Sequence, residues 1–316
     1  MQAVVLAAGR GTRLRPVTLG RSKAMCPVVG RPLVERAIEP LVENGIRDFV
    51  FVISADDLEI VPHFEGLRGS EINPRFVAQD RRLGTAHALG TAAGLIEGPF
   101  VVWACDSLID TDHVAELLDA AGEAEAVLSL LDVPPELVSR SAAVELDGNI
   151  VRRIVEKPRL EAAPSHTVSL PHYVCSPEVL DLLPEVQLSS RAEFEFPDAI
   201  QKMIDRGSRV VGVKASARVQ VTSPRDLLSL NRAFLRNRRE QLTGGRSGLG
   251  RGVSLIRPVH IEDGADISPG CEIGPEVYLE AGCRIGAGAV VRRSIILRDG
   301  RVAEGERIEN AIVTPE

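Results

Sequence analysis

The chain has 316 residues, enough for two average domains, and 44% of them are hydrophobic and 26% charged. This composition is typical of a globular protein and argues against extensive disorder. Because the net charge is −7 and aromatic residues make up only 3%, neither electrostatic attraction nor ring stacking favours a nucleic acid partner.

The sequence contains neither a signal-peptide pattern nor an apolar stretch of the roughly eighteen residues that a membrane-spanning helix requires. We therefore expect a cytoplasmic protein. The cysteines are odd in number and scattered, with no CxxC pair, which favours buried thiols over disulfides or zinc ligands. They are Cys26, Cys105, Cys175, Cys271 and Cys283.

Up to about residue 215, short β-rich runs alternate with helical patterns. The strand-like runs include Ala3–Ala8, Phe49–Ile53, Phe100–Cys105 and Val210–Val213, and the helical patterns include Leu33–Val42 and His113–Ala121. This alternation predicts an α/β domain with a mainly parallel sheet and ligands beyond the carboxyl ends of its strands. A closing helix over 226–239 and a glycine-rich break give three predicted segments, 1–242, a linker at 243–252, and 253–316.

The third segment has an internal period of six residues. Large aliphatic residues follow this period at Leu255, Ile261, Ile267, Ile273, Leu279, Ile285, Val291 and Leu297. Hexapeptide repeats with one large and one small inward residue predict a short parallel β-helix of about three coils. It resembles the left-handed β-helix of hexapeptide acyltransferases, although His260 is the only histidine of this third segment. The alternative is an appendage that stabilises the chain and forms oligomers.

The first predicted strand leads into a glycine loop, Gly9–Pro16, and six cationic residues occur before the first acidic residue, Glu35. Glycines let backbone N–H groups approach phosphate oxygens, and Arg13 and Lys23 can neutralise a polyphosphate. A glycine turn with solvated arginines is the alternative. The dinucleotide fingerprint is absent because Leu14 stands at the third glycine position, and no GxxxxGK[ST] motif occurs.

The segments Leu6–Pro16 and Ser22–Leu33 resemble the sugar-1-phosphate nucleotidylyltransferase family, with Ser22 where that family usually has proline. The resemblance implies a Rossmann-like three-layer domain in which Arg13 holds the triphosphate and Lys23 lies at the reacting phosphates. The nucleotide-binding residues implied in this part of the chain are Leu6, Ala8, Gly9, Gly11, Thr12 and Arg13.

The resemblance continues at Gln79 and the run Leu83–Ala88, which looks like the uracil- or thymine-reading segment of the family. A glutamine amide and nearby backbone groups can pair with the edge of a pyrimidine, so Gln79, Gly84 and Thr85 are implied in nucleotide binding. The alternative is a plain helix start with Thr85 as its cap, and we interpret His87 as a structural helix residue.

Asp106, directly after the strand-like run Phe100–Cys105, resembles the aspartate of the family that binds Mg²⁺, an ion that commonly takes one or two protein carboxylates. A helix cap is the alternative for this residue, although Asp110 and Asp112 can also cap the helix that follows. For the second metal ligand, commonly an acid or amide, Gln220 or Thr222 takes the place here, and neither is an anion.

A predicted hairpin turn at Asp147–Asn149 leads to Glu156 and Lys157, which match the Glu-Lys-Pro motif of the family. The resemblance implies that Glu156 accepts sugar hydroxyls and that Lys157, a catalytic residue with Arg13, Lys23 and Asp106, contacts the sugar phosphate. The alternative is a surface ion pair. Tyr173 and Asp198 are implied in sugar binding, but the segment Ser169–Tyr173 lacks the Asn and Gly of the family.

These features indicate an enzyme that joins a nucleoside triphosphate, UTP or dTTP favoured, to a sugar 1-phosphate of glucose or N-acetylglucosamine type. Mg²⁺ is the implied cofactor. One alternative is the same chemistry on a cyclitol phosphate or phosphocholine, and another is a catalytically silent nucleotide-sugar-binding subunit. We also expect a homo-oligomer, a trimer or dimer of trimers formed through the β-helix, and a catalytic domain that folds when the chain is cut after about residue 240.

Overall fold

A computed structural model describes residues 1–67, 72–237 and 249–315. The chain forms two compact units. The sheet unit consists of Met1–Gly9 and Ala37–Val219, and the repeat unit consists of Arg10–Arg36 and Gln220–Glu316. The segment with most of the predicted glycine loop therefore belongs to the same unit as the C-terminal repeats. Most of the predicted linker at 243–252 and the last two residues of the predicted helix 226–239 lie outside the described residues.

The helices predicted at Leu33–Val42 and His113–Ala121 are both present, and each begins and ends within a few residues of its predicted bounds. They are α1 (Leu33–Glu43), α2 (Ile60–Gly66), α3 (Thr85–Ala92), α4 (Thr111–Ala120), α5 (Pro135–Val138), α6 (Glu178–Leu182), α7 (Phe196–Asp205) and α8 (Pro224–Asn237). Short 3-10 helices occupy Thr12–Leu14, Lys23–Met25, Ala93–Leu95, Ala121–Glu123, Leu160–Ala162 and Leu183–Glu185. In the described part of the chain, every helix is too short or too polar to cross a membrane.

The strands that precede the repeats are numbered in chain order. They are β1 (Gln2–Leu6), β2 (Pro27–Val28), β3 (Arg31–Pro32), β4 (Asp48–Ser54), β5 (Asn73–Gln79), β6 (Phe100–Ala104), β7 (Ser107–Leu108), β8 (Ala126–Asp132), β9 (Ala142–Asp147), β10 (Ile150–Glu156), β11 (Thr167–Cys175), β12 (Val210–Lys214) and β13 (Val219–Gln220).

One nine-stranded sheet organises the described residues of the sheet unit, in the order β5-β4-β1-β6-β11-β8-β12-β10-β9. Strands β5, β4, β1 and β6 are parallel neighbours, whereas β11 runs antiparallel to both β6 and β8. The runs Ala3–Val5 and Phe49–Val52 are completely buried, as expected of strands that are covered on both faces. The carboxyl ends of β5, β4, β1 and β6 thus meet at one edge, where ligands of such sheets bind.

The predicted hairpin lies at the edge of the sheet opposite to β5. Strands β9 and β10 pair antiparallel, and Gly148 between them has a φ of 63°, a left-handed conformation that favours glycine. The hairpin prediction is confirmed, and it places Glu156 at the end of β10.

Within the repeat unit, helix α8 begins with a reciprocal cap. The backbone N–H of Asp226 donates to the Ser223 hydroxyl at 3.3 Å, and the Asp226 carboxylate accepts the Ser223 N–H at 2.8 Å. Pro224 occupies the first helical position, where a missing N–H costs nothing. Further along α8, the fully buried Asn231 accepts the N–H of Val29 at 2.9 Å and donates to the carbonyl of Pro27 at 3.0 Å. This helix therefore fixes the short hairpin of β2 and β3.

The repeat segment, residues 249–315, forms three parallel sheets. Its strands are β14 (Ser254–Leu255), β15 (Val259–Ile261), β16 (Asp266–Ile267), β17 (Glu272–Ile273), β18 (Val277–Leu279), β19 (Arg284–Ile285), β20 (Val290–Arg292), β21 (Ile295–Ile296), β22 (Arg301–Val302), β23 (Arg307–Glu309) and β24 (Ile312–Val313). The sheets have the orders β14-β17-β20-β23, β15-β18-β21-β24 and β16-β19-β22.

The six-residue period predicts the buried side chains of this segment up to Val291. Leu255 pairs with Ile273, and Ile273 pairs with Val291, each eighteen residues along the chain. Leu279, however, pairs with Ile296 and not with Leu297, so the last predicted position is wrong by one residue. The turn after Val291 is one residue shorter, and Arg293 in it has a left-handed φ of 48°.

All five cysteines are buried free thiols, as predicted. Cys271 and Cys283 lie in the aliphatic core of the repeat segment, and Cys175 lies in the core of the sheet unit. Burial raises the pKa of the Cys175 and Cys283 thiols, so they remain protonated and behave as small apolar side chains.

Candidate active site

Arg82 joins the ends of two central strands of the sheet unit. Its Nε donates to the carbonyl of Ala8, which follows β1, at 2.8 Å, and its Nη2 donates to the hydroxyl of Ser54, the last residue of β4. The same nitrogen lies 2.8 Å from Asp56 Oδ1. Arg82 thereby holds the start of the loop 82–84 against the edge where the parallel strands end. The sequence analysis did not select this arginine.

Gln79 ends β5 at this edge and is only 4% exposed. Its Nε2 lies 2.9 Å from Nδ1 of His87 on α3 and 3.4 Å from the carbonyl of Gly84. The amide is therefore held in one orientation by the residue that the sequence analysis interpreted as structural. A fixed amide can offer a directed hydrogen bond to the edge of a base.

The loop before α3 packs on the segment that begins α7. Gly84 has a φ of 107°, and a Cβ there would lie 2.4 Å from the carbonyl oxygen of Phe194, so only glycine fits. The Thr85 hydroxyl accepts the N–H of Phe196 at 2.9 Å and so caps α7. Its predicted contact with nucleotide stays a prediction.

Asp106 is half-buried and follows β6 at the same edge. The chain is fixed on both sides of it: the N–H of Cys105 donates to Leu6 of β1 at 3.4 Å, and the carbonyl of Ser107 accepts Nε2–H of His172 at 3.1 Å. Helix α4 has Asp110, not Asp106, at its N-cap position. The helix-cap alternative for Asp106 therefore does not apply to α4.

Arg218, which the sequence-based predictions did not include, interacts electrostatically with Asp106. Burial lowers the pKa of the Arg218 guanidinium, and the negative charge of Asp106 acts against that shift. Among the described residues, no group of three or more His, Cys, Asp or Glu side chains forms a metal cluster. A single carboxylate nevertheless suits Mg²⁺, which completes its coordination with phosphate oxygens and water.

The two candidates for a second metal ligand differ in their surroundings. The Thr222 hydroxyl donates to the Asp226 carboxylate at 2.8 Å, and the Thr222 N–H donates to the same oxygen at 2.9 Å. Although burial opposes it, these bonds together with those from Ser223 hold the pKa of Asp226 below its usual value. Thr222 thus takes part in the cap of α8, whereas Gln220 is half-buried at the end of β13.

Glu156 and Lys157 lie together at the end of β10. The Lys157 Nζ is 2.8 Å from Glu156 Oε1, and the Lys157 N–H donates to the carbonyl of Ser141 at 3.1 Å. Lys157 has a left-handed φ of 43°, which is uncommon for a residue with a side chain and frequent at functional sites. Burial raises the pKa of Glu156, and the charge of Lys157 acts against that shift.

Glu156 belongs to a group of acidic side chains that the sequence revealed only in part. Arg191 lies 3.8 Å from Glu156 and 2.7 Å from Glu195, which is only 3% exposed. Burial and the charge of Glu195 raise the pKa of Asp198, a predicted sugar-binding residue at the start of α7. Carboxylates in such a group can accept hydrogen bonds from sugar hydroxyls.

Tyr173 lies deeper than a typical contact residue. It is 5% exposed, its hydroxyl accepts from the Ser169 hydroxyl at 3.0 Å, and its ring meets that of Phe196 edge-on at 5.0 Å. Burial raises its pKa, so the phenol stays protonated. Its predicted contact with sugar stays a prediction.

The phosphate-binding candidates of the repeat unit lie on a compact segment. Gly11 has a φ of 61°, and a Cβ there would lie 2.9 Å from the Cβ of Lys23, so the glycine is required where the two approach. The Gly11 carbonyl accepts the Thr18 hydroxyl at 2.9 Å and the N–H of Leu14 at 2.8 Å. Lys23 is buried, whereas Arg13 is exposed at the surface of its unit.

The remaining candidates of this segment are consistent with a loop open to solvent. Gly9 and Thr12 are exposed, and Leu14 is fully buried and anchors the loop. Ser22 has a φ of −71°, close to the value that proline fixes. The backbone at this position therefore keeps the conformation that a proline would give it.

Sequence reasoning missed four of the polar residues described at these sites: Arg82, Arg191, Glu195 and Arg218. Each depends on partners distant in the chain or on burial that no local pattern reveals. The sequence did indicate His87 as a possible partner of Gln79, because it lies eight residues after Gln79 and in the first turn of α3.

Two family models match this chain. One, described as nucleotidyl transferase, matches residues 2–236, and the other, described as the GMPPB C-terminal domain, matches residues 255–316. Because the first match covers more than half of the chain, this chain belongs to the nucleotidyl transferase family. The enzyme class predicted from the sequence is thereby confirmed.

Relatives and a solved structure agree with this assignment. The chain is 32% identical over 273 residues to the bifunctional protein GlmU of Methanococcus maripaludis, covering 85% of this chain and 62% of that relative. It is 31% identical over 231 residues to UTP–glucose-1-phosphate uridylyltransferase AglF of Haloferax volcanii, covering 72% and 93%. A structure of UDP-glucose pyrophosphorylase complexed with UDP-glucose matches with a TM-score of 0.66 and 23% identity, covering 75% and 99%.

These matches differ in what they show. At 23% identity the solved structure shows the fold of the α/β domain alone, which confirms that part of the predicted fold. The chain spans about three fifths of the length of the GlmU relative.

Proposed function

We propose that this chain forms a nucleoside diphosphate sugar and pyrophosphate from a nucleoside triphosphate and a sugar 1-phosphate. UTP or dTTP is the favoured nucleotide, and a sugar of glucose or N-acetylglucosamine type is the favoured acceptor. The names of two similar proteins, a UTP–glucose-1-phosphate uridylyltransferase and a UDP-glucose pyrophosphorylase, support UTP and glucose 1-phosphate as the first pair to test.

One observation carries the proposal, namely the pair of Glu156 and Lys157 at the end of β10. A sugar 1-phosphate needs an acceptor for its hydroxyls and a cation for its phosphate. Glu156 can supply the acceptor and Lys157, which has a left-handed φ, can supply the cation. In the absence of substrate, Glu156 neutralises the charge of Lys157. An arriving phosphate can therefore compete for the ammonium group.

The proposed reaction needs no nucleophilic side chain. An oxygen of the sugar phosphate attacks the α-phosphorus in line, and the bond from that phosphorus to the bridging oxygen of the β-phosphate breaks. The electron pair leaves with pyrophosphate. Catalysis then consists of positioning and of neutralising charge on the phosphates. Arg13 and Lys23 would act on the triphosphate, and Lys157 on the sugar phosphate.

Asp106 would hold Mg²⁺. When bound, the ion supplies positive charge to the phosphate oxygens. The charge of Arg218 interacts with that of Asp106.

Base selection in this proposal depends on Gln79, with the loop of Gly84 beside it. The hydrogen bond to His87 fixes the Gln79 amide, so a base with the wrong donor and acceptor pattern leaves a buried polar group unpaired. This mechanism favours a pyrimidine triphosphate.

Two alternatives follow from particular residues. Ser169 stands where the family has a sugar-contacting Asn, and its hydroxyl is 3.0 Å from that of Tyr173, which favours a test of a cyclitol phosphate or phosphocholine as acceptor. Gln220 or Thr222 stands where the family commonly has a second metal-binding acid or amide, and neither is an anion, which favours a test for a silent nucleotide-sugar-binding subunit.

We also infer that the repeat segment is a left-handed parallel β-helix that assembles copies of the chain into a trimer or dimer of trimers. The six-residue period and the three parallel sheets support the β-helix. The ends and faces of a short solenoid require cover, which neighbouring copies can supply.

The test is pyrophosphate release by the full-length protein with Mg²⁺, across UTP, dTTP, ATP, CTP and GTP against glucose 1-phosphate, N-acetylglucosamine 1-phosphate, a cyclitol phosphate and phosphocholine. We expect turnover with UTP or dTTP and a sugar 1-phosphate. Turnover with only the last two acceptors would move the assignment to that alternative. Complete inactivity across the panel, with nucleotide sugar still bound, would favour the silent subunit.

A further inference from the structure

A buried ion pair lies within the repeat unit. It connects the repeat segment, residues 249–315, to residues 10–36, which include the predicted phosphate-binding residues Arg13 and Lys23. Arg21 donates from Nη1 to Glu280 Oε1 at 2.7 Å and from Nη2 to Glu280 Oε2 at 3.1 Å. The two side chains are only 8% and 12% exposed. Glu280 also accepts the N–H of Arg298 at 2.7 Å, so its carboxylate is fixed from both sides. Two parallel hydrogen bonds of this kind set an orientation as well as a distance.

Arg21 lies two residues before Lys23 in the chain. Lys23 packs against Gly11, and the Gly11 carbonyl accepts the Thr18 hydroxyl. A displacement of Arg21 would therefore move Lys23, which is two residues away in the chain. It would also move the glycine loop, because Lys23 packs against Gly11. Through Arg21, a carboxylate 259 residues away in the sequence is connected to the segment that carries the predicted phosphate-binding residues.

A second contact also joins the repeat segment to residues 10–36, and it does not involve Arg21 or Glu280. A Cβ on Gly30, which has a φ of 78°, would lie 2.7 Å from Nε2 of His260, so the imidazole lies directly against the glycine. His260 is held by stacking on Tyr278, with ring centroids 5.6 Å apart. His260 therefore packs between Gly30 and Tyr278.

We propose that Glu280 is a positioning residue for nucleoside triphosphate use, acting through Arg21 on the segment that carries Arg13 and Lys23. The inference rests on the proposed function, because the triphosphate is taken to bind at those residues. It assigns the repeat segment a part in substrate binding within its own chain, in addition to assembly.

The experiment compares full-length variants. Glu280→Gln keeps the shape of the side chain and removes its charge. Glu272→Gln is the matched control, since Glu272 pairs with Arg292 inside the repeat segment. Three quantities are measured: the KM for UTP, the KM for glucose 1-phosphate, and the Kd for UTP by calorimetry. Hydrogen exchange of the amides at residues 10–32 is followed in the same proteins.

We expect Glu280→Gln to raise the KM and Kd for UTP roughly tenfold and to speed exchange in residues 10–32, since a charge-assisted hydrogen bond is lost. The KM for glucose 1-phosphate and all values of Glu272→Gln should stay near those of the unmodified protein. If Glu280→Gln fails to fold, the double variant Arg21→Gln with Glu280→Gln, which leaves no unpaired buried charge, takes its place.

Three results would overturn the proposal: unchanged exchange and UTP binding, faster exchange with unchanged UTP binding, or an equal rise in the KM for both substrates. If the unmodified protein shows no turnover, the proposed function fails. The exchange and calorimetric measurements then still decide whether Glu280 positions a UTP-binding segment.

Discussion

The side-chain nitrogen of Gln79 donates a hydrogen bond to Nδ1 of His87, 2.9 Å away, and so orients a buried amide at the end of β5. His87 must accept at Nδ1 for this bond to form, which makes it a partner of the proposed base-reading residue. The bond links the start of α3 to the edge of the sheet where the parallel strands end. Under the proposed function, base selection would therefore depend on a residue that need not touch the nucleotide.

His87→Phe keeps an aromatic ring of similar size and removes the acceptor. We expect the ratio of kcat/KM for UTP to that for ATP to fall roughly tenfold, because the Gln79 amide loses its fixed orientation. Steady-state kinetics with both nucleotides measure the ratio. His63→Phe on α2 is the matched control and should leave it unchanged. An unaltered ratio in His87→Phe would return His87 to a packing function.

Asp106→Asn should leave the fold intact and lower turnover at least about a hundredfold, because it removes the carboxylate proposed to hold Mg²⁺ at the phosphates. Kinetics at saturating Mg²⁺ and thermal unfolding are measured together. Asp110→Asn makes the same change four residues away, at the N-cap position of α4, and should retain turnover. Near-normal turnover of Asp106→Asn would show that this carboxylate is not the metal anchor.

Arg13→Ala and Lys157→Ala should affect different substrates. We expect the first to raise mainly the KM for the nucleoside triphosphate and the second mainly the KM for the sugar 1-phosphate, since each loses a cation for one phosphate. Initial rates over a grid of both substrate concentrations separate the two constants. A rise in the same constant in both variants would contradict the assignment of residues to substrates.

His172 should make stability depend on pH. Burial lowers the pKa of His172 to about 3, whereas the unfolded chain binds a proton near the ordinary value of 6.5. Between these values the unfolded state binds more protons, so this residue lowers the free energy of unfolding as the pH falls from 6.5 towards 3, by up to about 1.4 kcal/mol per pH unit.

The measurement is urea unfolding between pH 7.5 and about pH 4.5. His172→Gln, which can still donate to Ser107, should be less stable at pH 7.5 but lose stability less steeply on acidification. His166→Gln at an exposed position is the control and should follow the unmodified protein. Parallel curves for all three proteins would mean that another group dominates the acid response.

Cutting the chain after residue 240 removes Glu280 and with it the two hydrogen bonds that Arg21 donates to that carboxylate. The sequence alone predicted a folded catalytic domain after this cut. We now expect the shortened chain to lose oligomerisation and to be less stable than the full-length protein, because the ion pair loses one member.

Light scattering and urea unfolding of the full-length and shortened proteins test this expectation. Adding Arg21→Met to the shortened chain removes the unpaired charge and should restore part of the lost stability. A full-length monomer would contradict the assembly proposal, and no gain from Arg21→Met would show that the ion pair contributes little.

The sequence by itself determined the features that depend on neighbours in the chain. Apolar runs specified strands such as those that begin at Gln2 and Phe100, and Gly148 marked the hairpin. The Ser223–Asp226 run carried a complete capping box, although the sequence analysis did not use it. Hydrophobic period and turn chemistry act over a few residues, so they can be read locally. The six-residue period failed only where one turn was a residue shorter, at Leu297.

Only the tertiary structure decided which distant side chains meet. Arg82 reaches Ala8 and Ser54, Arg191 lies between Glu156 and Glu195, and Arg21 finds Glu280 about 260 residues further along the chain. Burial raises the pKa of Glu156 and lowers that of His172, and burial is a property of the packed chain. A charged residue in a sequence gives no sign of its partner, because the pairing follows from the fold that brings both out of water.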